Sequence, residues 1–180
     1  MIKSAGITFL LAITLISVMT NCDSTITNER QFNEQIIRPD HESWDVKITV
    51  TSFGKRRAEI KADHLEKFND KNVISLDKNV IVDFYDSEGK HTSRLTAEKT
   101  EINERNNFLQ AIGNVVAKSD SGVTLYSDTL TWDDTNKKIF APGYVMITTA
   151  NQDTLYGNGF ESDLNIERWK ILNPHGVANR

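Results

Sequence analysis

Leu125-Tyr126-Ser127 decides the fold, because it is one of three copies of a phrase. Leu95-Thr96-Ala97 stands thirty residues before it and Leu155-Tyr156-Gly157 thirty residues after it. A Gly-x-Val follows the first two copies, as Gly113-Asn114-Val115 and Gly143-Tyr144-Val145, and the third closes on Gly176-Val177, slipped by two residues. A period near 30 built from short strands means stacked supersecondary units, none of which buries its apolar face alone. The expectation is an elongated, layered β protein. Its function would lie along its interior face and at its ends rather than in a catalytic pocket.

Outward from the repeat, apolar and polar residues alternate. Trp44-Asp45-Val46-Lys47-Ile48-Thr49-Val50 has the period of a half-buried strand, and Asn79–Tyr85 has the same. Further strands are predicted over 93–102, 108–118, 123–132, 138–148, 154–161 and 169–172. Short polar turns separate them, at 103–107, 119–122, 133–137 and 150–153. Asp86-Ser87-Glu88-Gly89-Lys90 is a turn in which Gly89 can take positive φ. Residues 61–69 would pass for a helix, yet they also fit the opening of an earlier repeat, and strand is the reading adopted. Lys55-Arg56-Arg57 reads as a solvated turn or rim. Evenly spaced strands with tight turns predict an all-β antiparallel meander.

The repeat also assigns faces. Leu95 and Ala97 share one face, as do Leu125 and Ser127, and Leu155 and Gly157. Three residues past the small position stand Thr100, Leu130 and Phe160, then Ile102, Trp132 and Ser162. A step of three breaks alternation, so each unit should carry a bulge or kink that lets its strand cross from one sheet to the facing one. The second halves of the units offer Leu109, Ala111, Val115 and Ala117, then Ile139, Ala141, Val145 and Ile147. The small residue at each corner marks close approach of backbones. The sum is two facing sheets, or one sheet folded over, with an apolar seam along its length.

The N-terminus differs. Lys3 is the only charge before an uncharged run from Ala5 to Met19, short for a membrane span and suited to an export signal. Met19-Thr20-Asn21-Cys22 resembles a bacterial lipoprotein box, departing from it at Asn21, where a small residue is usual. Cys22, the only cysteine, has no intrachain disulfide partner and is placed for lipidation. An uncleaved span with a chance cysteine is the other reading. Both put a tethered domain outside the cytoplasm, with residues 1–21 as signal or anchor, 22–43 as a polar tether and 44–180 as the folded domain. By resemblance to lipoprotein sorting rules, Asp23 favours the inner membrane.

A net charge of −4 argues against nucleic acid, which needs a basic face. His41, His64, His91 and His175 show no metal-ligand spacing, and His64 and His175 read as turn or surface residues. No Gly-x-x-x-x-Gly-Lys loop and no Gly-x-Ser-x-Gly elbow occurs, so neither ATP hydrolysis nor other catalysis is expected, and no cofactor.

With these residues in view, the chain resembles component C of the bacterial lipopolysaccharide export machine, within the organic-solvent-tolerance-like β-jellyrolls. The matching text is Asp83-Phe84-Tyr85-Asp86-x-x-Gly89, Ser93-x-Leu95-Thr96-Ala97-Glu98, Gly113-Asn114-Val115-Val116, Leu130-x-Trp132-Asp133, Asp153-Thr154-Leu155-Tyr156-Gly157-x-Gly159-Phe160 and Trp169-x-Ile171. It covers residues 45–177. The resemblance implies a twisted jellyroll open at both ends, anchored at the periplasmic face of the inner membrane. Relatives often carry a transmembrane helix where this chain has its lipoprotein-like box. It implies that lipopolysaccharide is received from an inner-membrane ABC transporter in an apolar trough and passed to a bridge protein of the same fold.

Under that resemblance the trough is lined by Leu95, Ala97, Leu109, Ala111, Val115 and Ala117 from the first unit. Leu125, Leu130, Ile139, Val145 and Ile147 line it from the second, and Leu155 and Phe160 from the third. Trp132 and Phe160 are also large enough to act as structural plugs. Gly157, Trp169 and Ile171 mark the corner and partner edge. The alternatives from other classes are a bridging protein with a closed core and no bound lipid, and the soluble bridge protein itself.

Overall fold

The computed structural model describes residues 38–176. The signal, Cys22, the tether up to residue 37 and Val177 lie outside the described residues. Among the described residues the chain forms nine strands and no helix. They are β1 (His41–Ser52), β2 (Lys55–Phe68), β3 (Val73–Tyr85), β4 (His91–Asn103), β5 (Phe108–Ser119), β6 (Thr124–Asp133), β7 (Lys138–Thr148), β8 (Thr154–Asp163) and β9 (Trp169–His175). Every pair is antiparallel and neighbours follow chain order, so one open meander runs from β1 to β9. This is the all-β antiparallel meander that the repeat and alternation predicted, and the open jellyroll that the resemblance implied.

Boundaries differ in three places, each with a local cause. β1 begins at His41, three residues inside the stretch read as tether. Lys55-Arg56-Arg57 opens β2 and is not a turn. The turn is Phe53-Gly54 alone, with φ of 51° and 74°, a two-residue hairpin whose twist suits its strands. β3 begins at Val73 rather than Asn79. Lys78 and Asn79 sit at φ of 60° and 54° and interrupt an alternation that otherwise continues upstream.

That interruption recurs along the sheet. Register slips between Lys61 and His64, Asp77 and Val80, Thr96 and Lys99, Ile112 and Val115, Ser127 and Thr131, and Ala141 and Tyr144. These bulges form a crease across the strands, the kink expected in each unit. Polar pairs stitch it. Asn79 donates to the Asp63 carboxylate at 2.5 Å, and Asn114 to Glu98 at 2.5 Å. Asn at positive φ is the residue type that tolerates this conformation best after glycine.

The crease folds the one sheet over on itself. Phe84, near the end of β3, sets its ring edge-on to Trp132 near the end of β6, with centroids 5.1 Å apart. These strands are not neighbours, so the contact crosses between the two halves. The free margins of the halves therefore meet as a lip. The β8–β9 loop reaches across it. Ser93 Oγ donates to the Leu164 carbonyl at 3.1 Å, and Ser119 Oγ donates to the Asn165 carbonyl at 2.7 Å. Ile166 is buried against the core although it holds φ at 56°, a conformation that β-branched residues strongly resist.

Candidate functional site

The inward residues line up as ladders. Ile48, Ile60, Val82, Leu95, Ala117, Leu125, Ile147 and Leu155 are successive register partners from β1 to β8. On the other side of the crease a second ladder runs Ile74, Ile102, Leu109, Trp132, Ile139, Ser162 and Trp169. Between them lie Val115, Ser127, Val145 and Gly157 on one half, and Leu76, Thr100, Ala111 and Leu130 on the other. One apolar seam thus runs the length of the sheet, and the folded halves close on it.

Most residues read from the sequence as inward are buried in this seam: Leu95, Leu109, Ala111, Val115, Ala117, Leu125, Leu130, Ile139, Val145, Ile147 and Phe160. Side chains of the facing halves fill the space between them. Ala97 is only half-buried. It borders an open cleft of ≈ 690 Å³ at the crease, between Asp77–Ile81 and Thr96–Glu98. Leu155 is half-buried because its ladder ends there, with β9 pairing only from Tyr156.

Both ends of the seam are partly uncovered. On β1, Val46, Ile48 and Val50 point inward but are half-buried, and Trp44 is 62% exposed. On β9, Trp169 and Ile171 pack against the core from one side only. Gly157 sits under β9 so closely that a Cβ there would strike the Ile171 side chain and lie 2.5 Å from the Asn173 carbonyl oxygen. The expected close approach at this corner is therefore made by β9. β1 and β9 each pair with one neighbour, which leaves two free edges among the described residues.

Two polar atoms are stranded in the seam. Thr100 Oγ1 and Trp132 Nε1 are buried without a hydrogen-bond partner. An unsatisfied buried group costs about 1–3 kcal/mol. Neither was foreseen, because period-two reading assigns a face and says nothing of partners.

The charged groups lie outside the seam. Asp83 is buried beneath Arg94, whose Nε donates to it at 2.6 Å, and beside His91 at 3.3 Å. Burial pushes the Asp83 carboxyl up, but the Arg94 hydrogen bond and charge, then those of His91, outweigh it, and its pKa falls below the usual aspartate value. His64 is no turn residue. It stands in β2 with Nε2 2.9 Å from Glu42 and Nδ1 3.2 Å from Asp77. The hydrogen bond to Glu42, followed by that to Asp77, raises its pKa above the ordinary imidazole value. His175 lies in β9 and bonds Asn158 at 2.8 Å.

A family model described as lipopolysaccharide-assembly, LptC-related, matches residues 7–175. Among solved structures the chain is similar to LptH of Pseudomonas aeruginosa, described as the LptA-homologous periplasmic component of a conserved lipopolysaccharide transport device. Identity is 13%, the match covers 63% of this chain and 80% of that one, and the TM-score is 0.51, a likeness of fold. No curated protein matches.

Proposed function

Because the chain belongs to the family of LptC-related lipopolysaccharide-assembly proteins, we propose that it is a lipopolysaccharide-transfer protein tethered at the periplasmic face of the inner membrane. It would receive lipopolysaccharide from an inner-membrane ABC transporter, shelter the acyl chains between the sheet halves, and pass them to a bridge protein of the same fold. The observation that carries this reading is the unbroken apolar ladder from Ile48 to Leu155, with both ends half-covered beside a free strand edge. A free edge offers unpaired N–H and C=O groups to a strand of the next jellyroll, so seams would join end to end.

The seam is filled at rest, so an acyl chain must part the lip. Withdrawing Ile166 costs about 1.5–3 kcal/mol of burial. Breaking the Ser93 and Ser119 hydrogen bonds costs about 0.5–1.5 kcal/mol each. Each buried methylene returns about 0.8 kcal/mol. Between about three and eight methylenes therefore offset the opening, which is within the length of one fatty acyl chain. An ester or hydroxyl oxygen on such a chain would also give Trp132 Nε1 the acceptor it lacks. Cys22, by lipidation, or the N-terminal segment as a span, would supply the tether.

The filled seam also favours a second reading, a bridging protein that never takes up lipid. Photo-crosslinking in cells separates the two. A crosslinking residue at Val115, Val145 or Ile147 should form lipopolysaccharide adducts, and one at the outward neighbours Asn114 or Tyr144 should form far fewer. Silence at all three inward positions would leave the bridge. For the tether, Cys22→Ala should leave a larger, uncleaved form on a gel. An unchanged size with unchanged acyl labelling would retire the lipidation.

A further inference from the structure

We propose that Glu42, His64 and Glu66 bind one divalent cation of the zinc class, which pins the edge strand β1 to β2. A carboxylate oxygen of each glutamate and one ring nitrogen of His64 lie within 4.8 Å of one another. Zinc takes imidazole nitrogen and carboxylate oxygen at about 2.0–2.2 Å. Tetrahedral donors at that radius stand about 3.3–3.5 Å apart, so modest side-chain rotation closes the set and leaves a fourth position for water. A nitrogen donor favours this class over calcium or magnesium, which take oxygen alone.

Three further observations point the same way. The far nitrogen of His64, Nδ1, is held by the Asp77 carboxylate at 3.2 Å to either oxygen. Metal-ligating histidines are oriented in this manner, with the second nitrogen donating to a carboxylate. Glu42 and Glu66 are direct register partners across β1 and β2, and like charges placed opposite one another are destabilising unless a cation lies between them. The local balance is also wrong without one. Three carboxylates, Glu42, Glu66 and Asp77, face a single imidazole, while Lys99, the register partner of Asp77, and Lys67, next to Glu66 in the chain, are paired with other carboxylates. Lys99 on β4 bonds Glu101 at 2.7 Å, and Lys67 bonds Glu104 at 3.0 Å. His64 itself is sheltered, while Glu42 stands at the exposed rim of the cluster. The Trp44 ring lies 5.6 Å from the His64 ring, whose side chain is 13% exposed.

Without metal, the two ring nitrogens of His64 face the Glu42 and Asp77 carboxylates. Where Nε2 carries a proton, binding displaces it to solvent and the freed lone pair takes the cation. Metal and proton thus compete for one atom, and affinity should fall as pH drops.

The test is calorimetric titration of the untagged full chain with zinc chloride in two buffers of different ionisation heat. One saturable site that releases a proton is expected, together with a higher Tm and slowed amide exchange in β1. His64→Gln and Glu66→Gln should each abolish the site, with circular dichroism unchanged. Asp77→Asn should weaken it by about 10–100-fold. Absence of a saturable site overturns the proposal, as does a site that survives His64→Gln or Glu66→Gln or is lost with Cys22→Ser.

Discussion

The middle of the long ladder and its two ends are built from the same residue types and differ in what covers them. Ile60, Val82, Leu95 and Leu125 are almost wholly sealed, with a strand on each side and the facing half above. Ile48 and Leu155 occupy the same ladder and are only half-covered. Hydrophobicity alone therefore does not separate sealed core from half-covered surface here. Position in the meander does, because a strand's inward side chains are sealed only when the next strand lies over them. The middle holds the fold together, and the ends keep their apolar surface half-covered.

The sharpest way to break that contrast is truncation within one ladder. Leu125→Ala should cost about 2–5 kcal/mol in urea unfolding, since it deletes side-chain volume from a sealed site. Leu155→Ala should cost about 1 kcal/mol, because half its burial is absent to begin with. Equal losses would mean that the end is as tightly packed as the middle. Next comes Gly157→Ala. A single Cβ meets β9 backbone that cannot rotate away, so β9 should shift or detach at a cost of about 1–3 kcal/mol, with fast amide exchange confined to that strand. Gly157→Arg should detach it outright. An undisturbed β9 would show that the corner is looser than its geometry implies.

Most of the sheet was legible because its physics is local. Alternation marked the strands, Gly and Asn marked turns and bulges, and the step of three in Thr100, Leu130 and Phe160 announced the crease. The extension of β3 back to Val73 was hidden because Lys78 and Asn79, both at positive φ, reverse the phase of the alternation. The closed lip was hidden because Ile166 reads as a loop residue, and only the folded-over sheet brings its loop to Ser93 and Ser119, through the carbonyls of Leu164 and Asn165. The Glu42–His64–Glu66 cluster was hidden for a related reason. Glu42 is distant in sequence and is delivered by register, so counting spacings along one segment finds no ligand set. Which inward residues meet a guest was not legible either, since a sealed core and a lipid path share one alternation.

A pH comparison sharpens the contrast further. Asp83 lies over the middle, and its folded pKa is lowered, so its contribution is present above the unfolded value of about 3.9 and is lost as pH falls through the folded value. His64 clamps the β1 end, and its folded pKa is raised. In metal-free protein its contribution is full below the unfolded value of about 6.5 and is lost as pH climbs through the folded value. Amide exchange in β3 and β4 should therefore loosen as pH falls through the lowered Asp83 value, and β1 should loosen as pH rises through the raised His64 value. Asp83→Asn should shrink the acid step in β3 and β4 and leave the alkaline β1 step untouched. A single uniform transition in both strands would show that end and middle open together.

The smallest expected effect lies in the middle and bears most directly on function. Trp132→Phe keeps a ring against Phe84 while deleting an N–H that has no partner in the resting seam. The lost indole contacts cost stability, and removal of a stranded donor returns about 1–3 kcal/mol, so the net change in unfolding free energy should be within about 1 kcal/mol of zero. Lipid retention should respond differently. If an acyl ester or hydroxyl accepts from Trp132 Nε1, the variant should hold lipopolysaccharide more weakly in a crosslinking assay at Val145, even though its fold is as stable as before. Loss of stability and retention in proportion would make Trp132 a plug. Loss of retention alone would make it a contact, and would mean that the sealed middle opens to the same cargo as the ends.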